Sequence, residues 1–367
     1  MPELISFAAA LDETEGERRH LLIGNGFSIS LFPDCFRYAS LFQEAKDGGL
    51  FEKHPELLMA FELLETTDFE LVMETLQRAA KLGPLYGFDK ALMEAHAELL
   101  KDVLVQAIAG RHPSRPSEIS EEQYQNCRAF LANFIGGELE KPGKIFSLNY
   151  DLLLYWSILH DIFSIDWGDG GFSLNPDQVL GNDDGFRAPE DDYDAEYVAW
   201  EQYEASKGQT ITFLHGALHL YQRGSELAKL CWERAGNKPL MDQIRAALDE
   251  NRFPLFVSEG NTEQKLARIN NNAYLAKGLR SFAECCKSKQ NSIFVIGHSL
   301  ADNDEHVLKR IRKGGCGRLY VSIFGDVNDE WNKAVVAKAE AMALARPAFK
   351  PLELKFIDAE TLHIWNH

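Results

Sequence analysis

Four short stretches of the 367-residue chain place polar side chains directly after an apolar run. That is how a strand delivers reactive groups to the edge of a sheet. "HLLIG" leads into Gly24-Asn25-Gly26-Phe27-Ser28, and "KIFSLN" ends in Asn149 with Asp151 just beyond. "ITFLHG" ends in His215-Gly216, and "SIFVIG" runs into Gly297-His298-Ser299 and on to Asp302 and Asp304. A histidine, with an ordinary pKa of about 6.5, suits a general base near neutral pH. A Gly-Asn-Gly turn feeding a helix lets backbone N–H groups approach a phosphate, whose charge the helix start favours. Each stretch also has a plainer reading. Gly-x-Gly can be only a tight turn, Asn149 or Asp151 a helix cap, His215 a structural histidine, and Ser299 or Asp302 the N-cap of a strand-to-helix turn.

The elements that position these groups follow from hydrophobic patterning. Strand candidates are 20–24, 144–149, 211–216, 254–258, 292–297, 318–325 and 352–357, several of them continuous apolar runs of the kind covered on both faces in a parallel sheet. Helical spacing marks 68–82, 88–109, 121–135 and 331–345. One strand, then a long helical stretch, then strands alternating with helices predicts an α/β fold: a doubly wound, mostly parallel, Rossmann-like sheet with a helical insertion over 38–142. The whole of 1–367 reads as one such domain. Residues 166–209, rich in Gly and Asp, read as an acidic loop or lid.

Composition narrows the partners. The formal charge of −18 opposes nucleic acid and anionic membranes, although it leaves room for a local basic pocket. Residues 183–204 carry nine carboxylates and one arginine, which reads as a solvated face or as a docking surface for a basic partner. No apolar run reaches the roughly 18–20 residues of a membrane span, and the N-terminus lacks the basic start of a secretory signal, so a cytoplasmic location is expected. The six cysteines include no Cys-x-x-Cys pair, so neither a zinc ribbon nor a disulfide framework is indicated.

Taken in order, the strand ends resemble the sirtuin superfamily. There a first strand leads into Gly-x-Gly-x-Ser, a second ends in Asn-x-Asp, a third in His-Gly and a later one in Gly-x-Ser. The matches are Gly24, Gly26 and Ser28; Asn149 and Asp151; His215 and Gly216; Gly297 and Ser299. Pro33-Asp34 and Phe36-Arg37 are similar to the Pro-Asp-Phe-Arg that follows the sirtuin loop, with Cys35 inserted. Three departures define the branch. The four-cysteine zinc module of the deacylases is missing, since only Cys231, Cys285 and Cys286 lie between Gly216 and Gly297. The deacylase Gln-Asn-Ile-Asp is Leu148-Asn149-Tyr150-Asp151. The helical insert, with "TTDFELVMETLQ", resembles the bacterial sirtuin-like NAD hydrolases of anti-phage defence. Residues 254–282 resemble a bacterial domain of unassigned function grouped with them.

The resemblance implies that NAD is the substrate, with no metal, and that its nicotinamide–ribose bond is hydrolysed. It assigns His215 as general base, Asn149 to orient the ribose and water, and Asp151 as support. It places Gly24, Asn25, Gly26, Phe27, Ser28, Arg37, Gly216, Gly297, His298 and Ser299 around the dinucleotide. The alternatives are an NAD-dependent deacylase or ADP-ribosyl transferase, and a non-catalytic module that binds NAD or ADP-ribose. By the same analogy the protein is a homo-oligomer, with an activating partner such as a hexameric ATPase or an Argonaute-like protein.

Overall fold

The computed structural model describes residues 2–160, 180–189, 192, 194–201, 208–258 and 262–366, and the backbone of 163–166 and 171–174. Its centre is a seven-stranded sheet built from β1 (Leu4–Ile5), β2 (Arg18–Ile23), β3 (Ile145–Ser147), β8 (Ile211–Phe213), β11 (Asn291–Ile296), β12 (Arg318–Ile323) and β13 (Glu353–Asp358). The order is β1-β13-β12-β11-β2-β3-β8 and every pairing is parallel. The apolar runs were the right signal. Leu21–Ile23, Ile293–Ile296 and Leu319–Val321 are buried because helices cover both faces of the sheet. From β2 the chain builds outward through β3 to β8, then returns to build β11, β12 and β13 on the other side. The direction reverses between β2 and β11, the place where open α/β sheets form their ligand crevice.

Two small antiparallel sheets lie outside it. β4 (Phe163–Asp166) pairs with β5 (Gly171–Leu174); β6 (Phe186–Arg187), β7 (Tyr197–Trp200), β9 (Leu220–Arg223) and β10 (Glu226–Leu230) form a second sheet in the order β6-β7-β10-β9. The 166–209 stretch thus contributes β5, β6 and β7 where its residues are described; the rest of the expected lid lies outside them. The expected strand 254–258 is an isolated bridge, Phe256 against Gly216. Its apolar run is explained by burial of Leu255–Val257.

Helix α1 (Phe7–Glu13) precedes β2, and the segment between β2 and β3 is helical: α2 (Gly26–Ile29), α3 (Pro33–Phe36), α4 (Tyr38–Asp47), α5 (Pro55–Leu63), α6 (Phe69–Tyr86), α7 (Lys90–Arg111) and α8 (Glu121–Ile135). The pair α6 and α7 is punctuated in the sequence. Asp68 caps α6, its Oδ1 accepting from the N–H of Glu70 and Leu71; Gly87 ends it at φ 77°; Asp89 caps α7 in the same way. The remaining helices are α9 (Leu153–Leu159), α10 (Leu240–Asp249), α11 (Thr262–Asn270), α12 (Ala273–Cys285), α13 (Glu305–Lys313) and α14 (Glu330–Leu344). Beyond β13, the Trp365 ring packs 5.0 Å from Phe27, and its indole N–H donates to Phe27 O at 2.8 Å. Among the described residues, no helix is long and apolar enough to cross a membrane.

Candidate functional site

All four polar strand ends lie on the carboxyl edge of the one parallel sheet, because β2, β3, β8 and β11 run in the same direction. At the reversal point, between β2 and β11, the two glycine turns touch backbone to backbone. Gly24 N–H donates to Ile296 O (2.9 Å) and Gly26 N–H to Gly297 O (2.8 Å). A Cβ on Gly24 would stand 2.6 Å from Gly297 O, and one on Gly26 would stand 2.6 Å from Gly297 Cα. Gly297 itself sits at φ 66°, with Phe27 N 2.6 Å from where its Cβ would be. The glycines are therefore required for close approach of two chain segments.

This differs from the expectation that the turn presents its amides to a diphosphate. Phe27 N–H bonds Gly24 O and Ser28 N–H bonds Asn25 O, so four N–H groups of residues 24–28 are engaged within the fold. The helix that follows, α2, is a single turn of four residues, too short to carry much dipole. Asn25 is exposed and donates from Nδ2 to Phe36 O (2.9 Å). Arg37 is exposed at the start of α4, and Gly297, His298 and Ser299 are half-buried.

Behind the seam, Ser28, Asn149 and Asp151 meet. Asn149 Nδ2 donates to Ser28 Oγ at 2.9 Å, and Ser28 Oγ donates to Asp151 Oδ2 at 2.5 Å. The other Asp151 oxygen accepts from Leu153 N–H (2.9 Å), so Asp151 also stabilises the start of α9. Burial raises the Asp151 pKa, against the pull of these hydrogen bonds. His112 braces the same turn. Leu152 N–H donates to its Nε2, which leaves Nδ1–H to donate to Pro113 O.

One strand further along, His215 enters a buried charge network. Its Nε2 is 3.0 Å from His306 Nε2 and 3.7 Å from Asp304 Oδ1. Asp304 Oδ2 is 3.0 Å from His298 Nε2. Because Leu300 N–H donates to His298 Nδ1, the His298 proton sits on Nε2 and points at Asp304. The Lys265 ammonium lies 3.0 Å from Asp304 Oδ1 and 3.2 Å from Glu70 Oε1; Asn303 donates to the other Glu70 oxygen.

The pKa shifts follow from this layout. Burial opposes the charge of Lys265, yet its two carboxylates outweigh burial and raise it. Burial would raise Asp304, but Lys265 and His298 hold it well below the usual carboxylate range. Glu70 is pushed up to about 7 by burial, with Lys265 opposing. Burial lowers His215 well below 6.5, and His306 to about 4, so both rings are neutral at pH 7 and one donates to the other.

Glu70, Lys265 and His306 were missed as site residues, since inward-facing charges on amphipathic helices read as solvated. Signals existed. "TTDFELVMETLQ" contains Glu70, residues 254–282 contain Lys265, and His306 lies two positions after Asp304. Three stretches notable in the sequence thus meet through one ammonium.

Two groups of described residues bring three metal-type ligand atoms within 4.8 Å of one another: His215, Asp304 and His306, and His54, Glu56 and His96 on the helical segment. In the first, Lys265 already supplies a positive charge to the Asp304 oxygen nearest His215, so a divalent ion would have to displace it. In the second, Glu56 Oε1 lies 3.4 Å from His54 Nδ1 and 3.1 Å from His96 Nε2.

The fold and the carboxyl edge define a Rossmann-like α/β protein with a buried polar, histidine-bearing site at its topological reversal. Within that class, the chain belongs to the family described as a domain of unknown function (DUF4917), matched over residues 21–365. No curated protein matches it.

Proposed function

We propose that the protein is an NAD glycohydrolase, cleaving the nicotinamide–ribose bond with water to give ADP-ribose, nicotinamide and a proton. The observation that carries this reading is the buried Ser28–Asn149–Asp151 set at the sheet's reversal point, with His215 next to it along the same edge. Bond cleavage passes through an oxocarbenium-like ribose, as in glycoside hydrolysis. Asn149 would orient the ribose hydroxyls and the attacking water. Neutral His215 would accept the water's proton, and Asp304 would stabilise the imidazolium. Since the turn amides are engaged, diphosphate contacts fall to the half-exposed Ser299 and to exposed Asn25 and Arg37.

Nicotinamide release from NAD by the purified chain tests this. General-base help is worth ~10²–10⁴ in rate. A fall of that size is expected in His215→Ala and Asn149→Ala proteins that keep their native circular dichroism, and undiminished turnover in both refutes the assignment. A second reading, a module that binds NAD or ADP-ribose without turnover, is favoured by His215 Nε2 being engaged by His306 and by the closed seam. It predicts saturable binding and no nicotinamide even at long times.

An enzyme that drains NAD must be restrained, which fits an effector of anti-phage defence in the cytoplasm, triggered by self-assembly or by a partner such as a hexameric ATPase. Exposed Leu63, Leu82, Leu85, Tyr86, Phe88 and Leu92, on and between α5, α6 and α7, offer an apolar contact surface for either.

A further inference from the structure

A cavity of 440 Å³ opens at the opposite, amino-terminal edge of the central sheet. It is lined by Arg18 at the start of β2, Lys144 just before β3, and Lys277 and Arg280 on one face of α12. The one carboxylate in the lining, Glu284, is exposed and already bonded to Lys287. Four cationic side chains therefore converge on one concavity in a chain whose formal charge is −18. Lys144 Nζ donates to Ser281 Oγ (3.0 Å), and Lys277 Nζ lies over the Trp200 ring at 5.1 Å. Burial, followed by repulsion from Lys144 and Arg280, lowers the Lys277 pKa.

An independent observation comes from His20, which also lines the cavity. It is only 2% exposed, and neither ring nitrogen has a hydrogen-bond partner among the described residues. Burial, helped by Arg18 and Lys144, holds its pKa down at about 3, so the ring is neutral with one donor and one acceptor unused. Buried polar atoms are nearly always satisfied, and a gathering of like charges raises the energy of an empty site. An anion with additional hydrogen-bonding groups answers both.

We propose that this cavity binds a small, multiply phosphorylated anion of nucleotide size. The volume falls within the ~300–1,000 Å³ of small-molecule sites. The cationic lining selects phosphate over apolar ligands, and the acidic remainder of the surface opposes a nucleic acid strand. This site is independent of the NAD reading: the six residues of β2, roughly 20 Å, separate the two edges.

The test is isothermal titration of the full chain, without divalent metal, with inorganic tripolyphosphate and with ATP. One-to-one binding is expected, weakening steeply with salt. It should fall about tenfold in each of Lys277→Ala and Arg280→Ala and disappear in the double variant. His215→Ala should bind as the parent does, which separates this site from the carboxyl edge. Tighter binding of ATP than of tripolyphosphate identifies a nucleotide; equal binding identifies the phosphate chain; either supports the proposal. Absence of saturable binding by the folded parent chain overturns it, as does binding that survives in the folded double variant. Arg280 is exposed and Lys277 half-buried, so both substitutions are compatible with folding.

Discussion

The two edges of the central sheet treat charge in opposite ways. At the carboxyl edge, Lys265 is fully buried but flanked by Asp304 and Glu70, and the glycine seam fills the gap between β2 and β11. At the amino edge, Arg18, Lys144, Lys277 and Arg280 surround open space, and His20 is buried with no hydrogen-bond partner among the described residues. Both edges are cut from the same strands, so the difference lies in the loops and helices that cap them. The buried ammonium of the carboxyl edge is held by carboxylates of the fold itself, whereas the amino-edge cavity gathers four cationic side chains beside a single carboxylate, Glu284.

The largest effect should come from breaking the paired edge. Lys265→Met leaves the buried Asp304 carboxylate without its ammonium and Glu70 without one of its hydrogen-bond partners, and a loss of about 3–5 kcal/mol is expected in urea unfolding. Arg280→Gln at the cationic cavity should change stability by no more than about 0.5 kcal/mol. Equal losses would erase the contrast.

A smaller effect is expected at the seam. Gly297→Ala forces a Cβ into the left-handed region and against Phe27 N, at a cost of at least ~1–3 kcal/mol. A melting temperature equal to that of the parent would show that the seam has room to relax.

The pH profile sharpens the comparison further, with gentler slopes. His20 at the amino edge and His215 and His306 at the other have folded pKa values lowered by burial. The unfolded chain therefore binds more protons below about 6.5, and stability should fall as the pH drops from there. Glu70 acts in the opposite sense. Its pKa is raised to about 7, so the folded state holds a proton that the unfolded state releases, and stability falls as pH rises from about 4.5 to 7. In Glu70→Gln that opposing slope should vanish, leaving a steeper rise of stability over the same interval. Urea midpoints at pH 5, 6 and 7 would reveal it, and an unchanged profile would mean that Glu70 is not the protonated group.

Much of this architecture was legible in the sequence, for a physical reason. Strands buried on both faces are uniformly apolar, so β2, β11 and β12 stand out, and α6 to α8 carry Asp and Ser caps that mark their starts. What was illegible depends on remote partners. The two residues of β1 are a strand only because β13 lies alongside, more than 340 residues later. The strands of the β6-β7-β10-β9 sheet are two to five residues long and of mixed polarity, so their pattern is too short to read. The strand ends were identified correctly as a shared edge, yet the use made of Gly24, Gly26 and Gly297 was not. A glycine needed for chain crossing and one needed for a ligand look the same in one dimension. Lys265 finds Glu70 across 195 positions and Asp304 across 39, which no local pattern records.

The bond from Trp365 to Phe27 spans 338 positions. At ~5–20 residues per second, a ribosome that has just made the Gly24–Ser28 turn needs roughly 17–70 s to supply the indole that clamps it. The nascent chain can lay down β2 and its neighbours early, but the turn stays unbuttressed until synthesis has passed Trp365. A fragment stopping short of that residue should carry the motif without its support. Incomplete translation products would then lack a finished carboxyl edge.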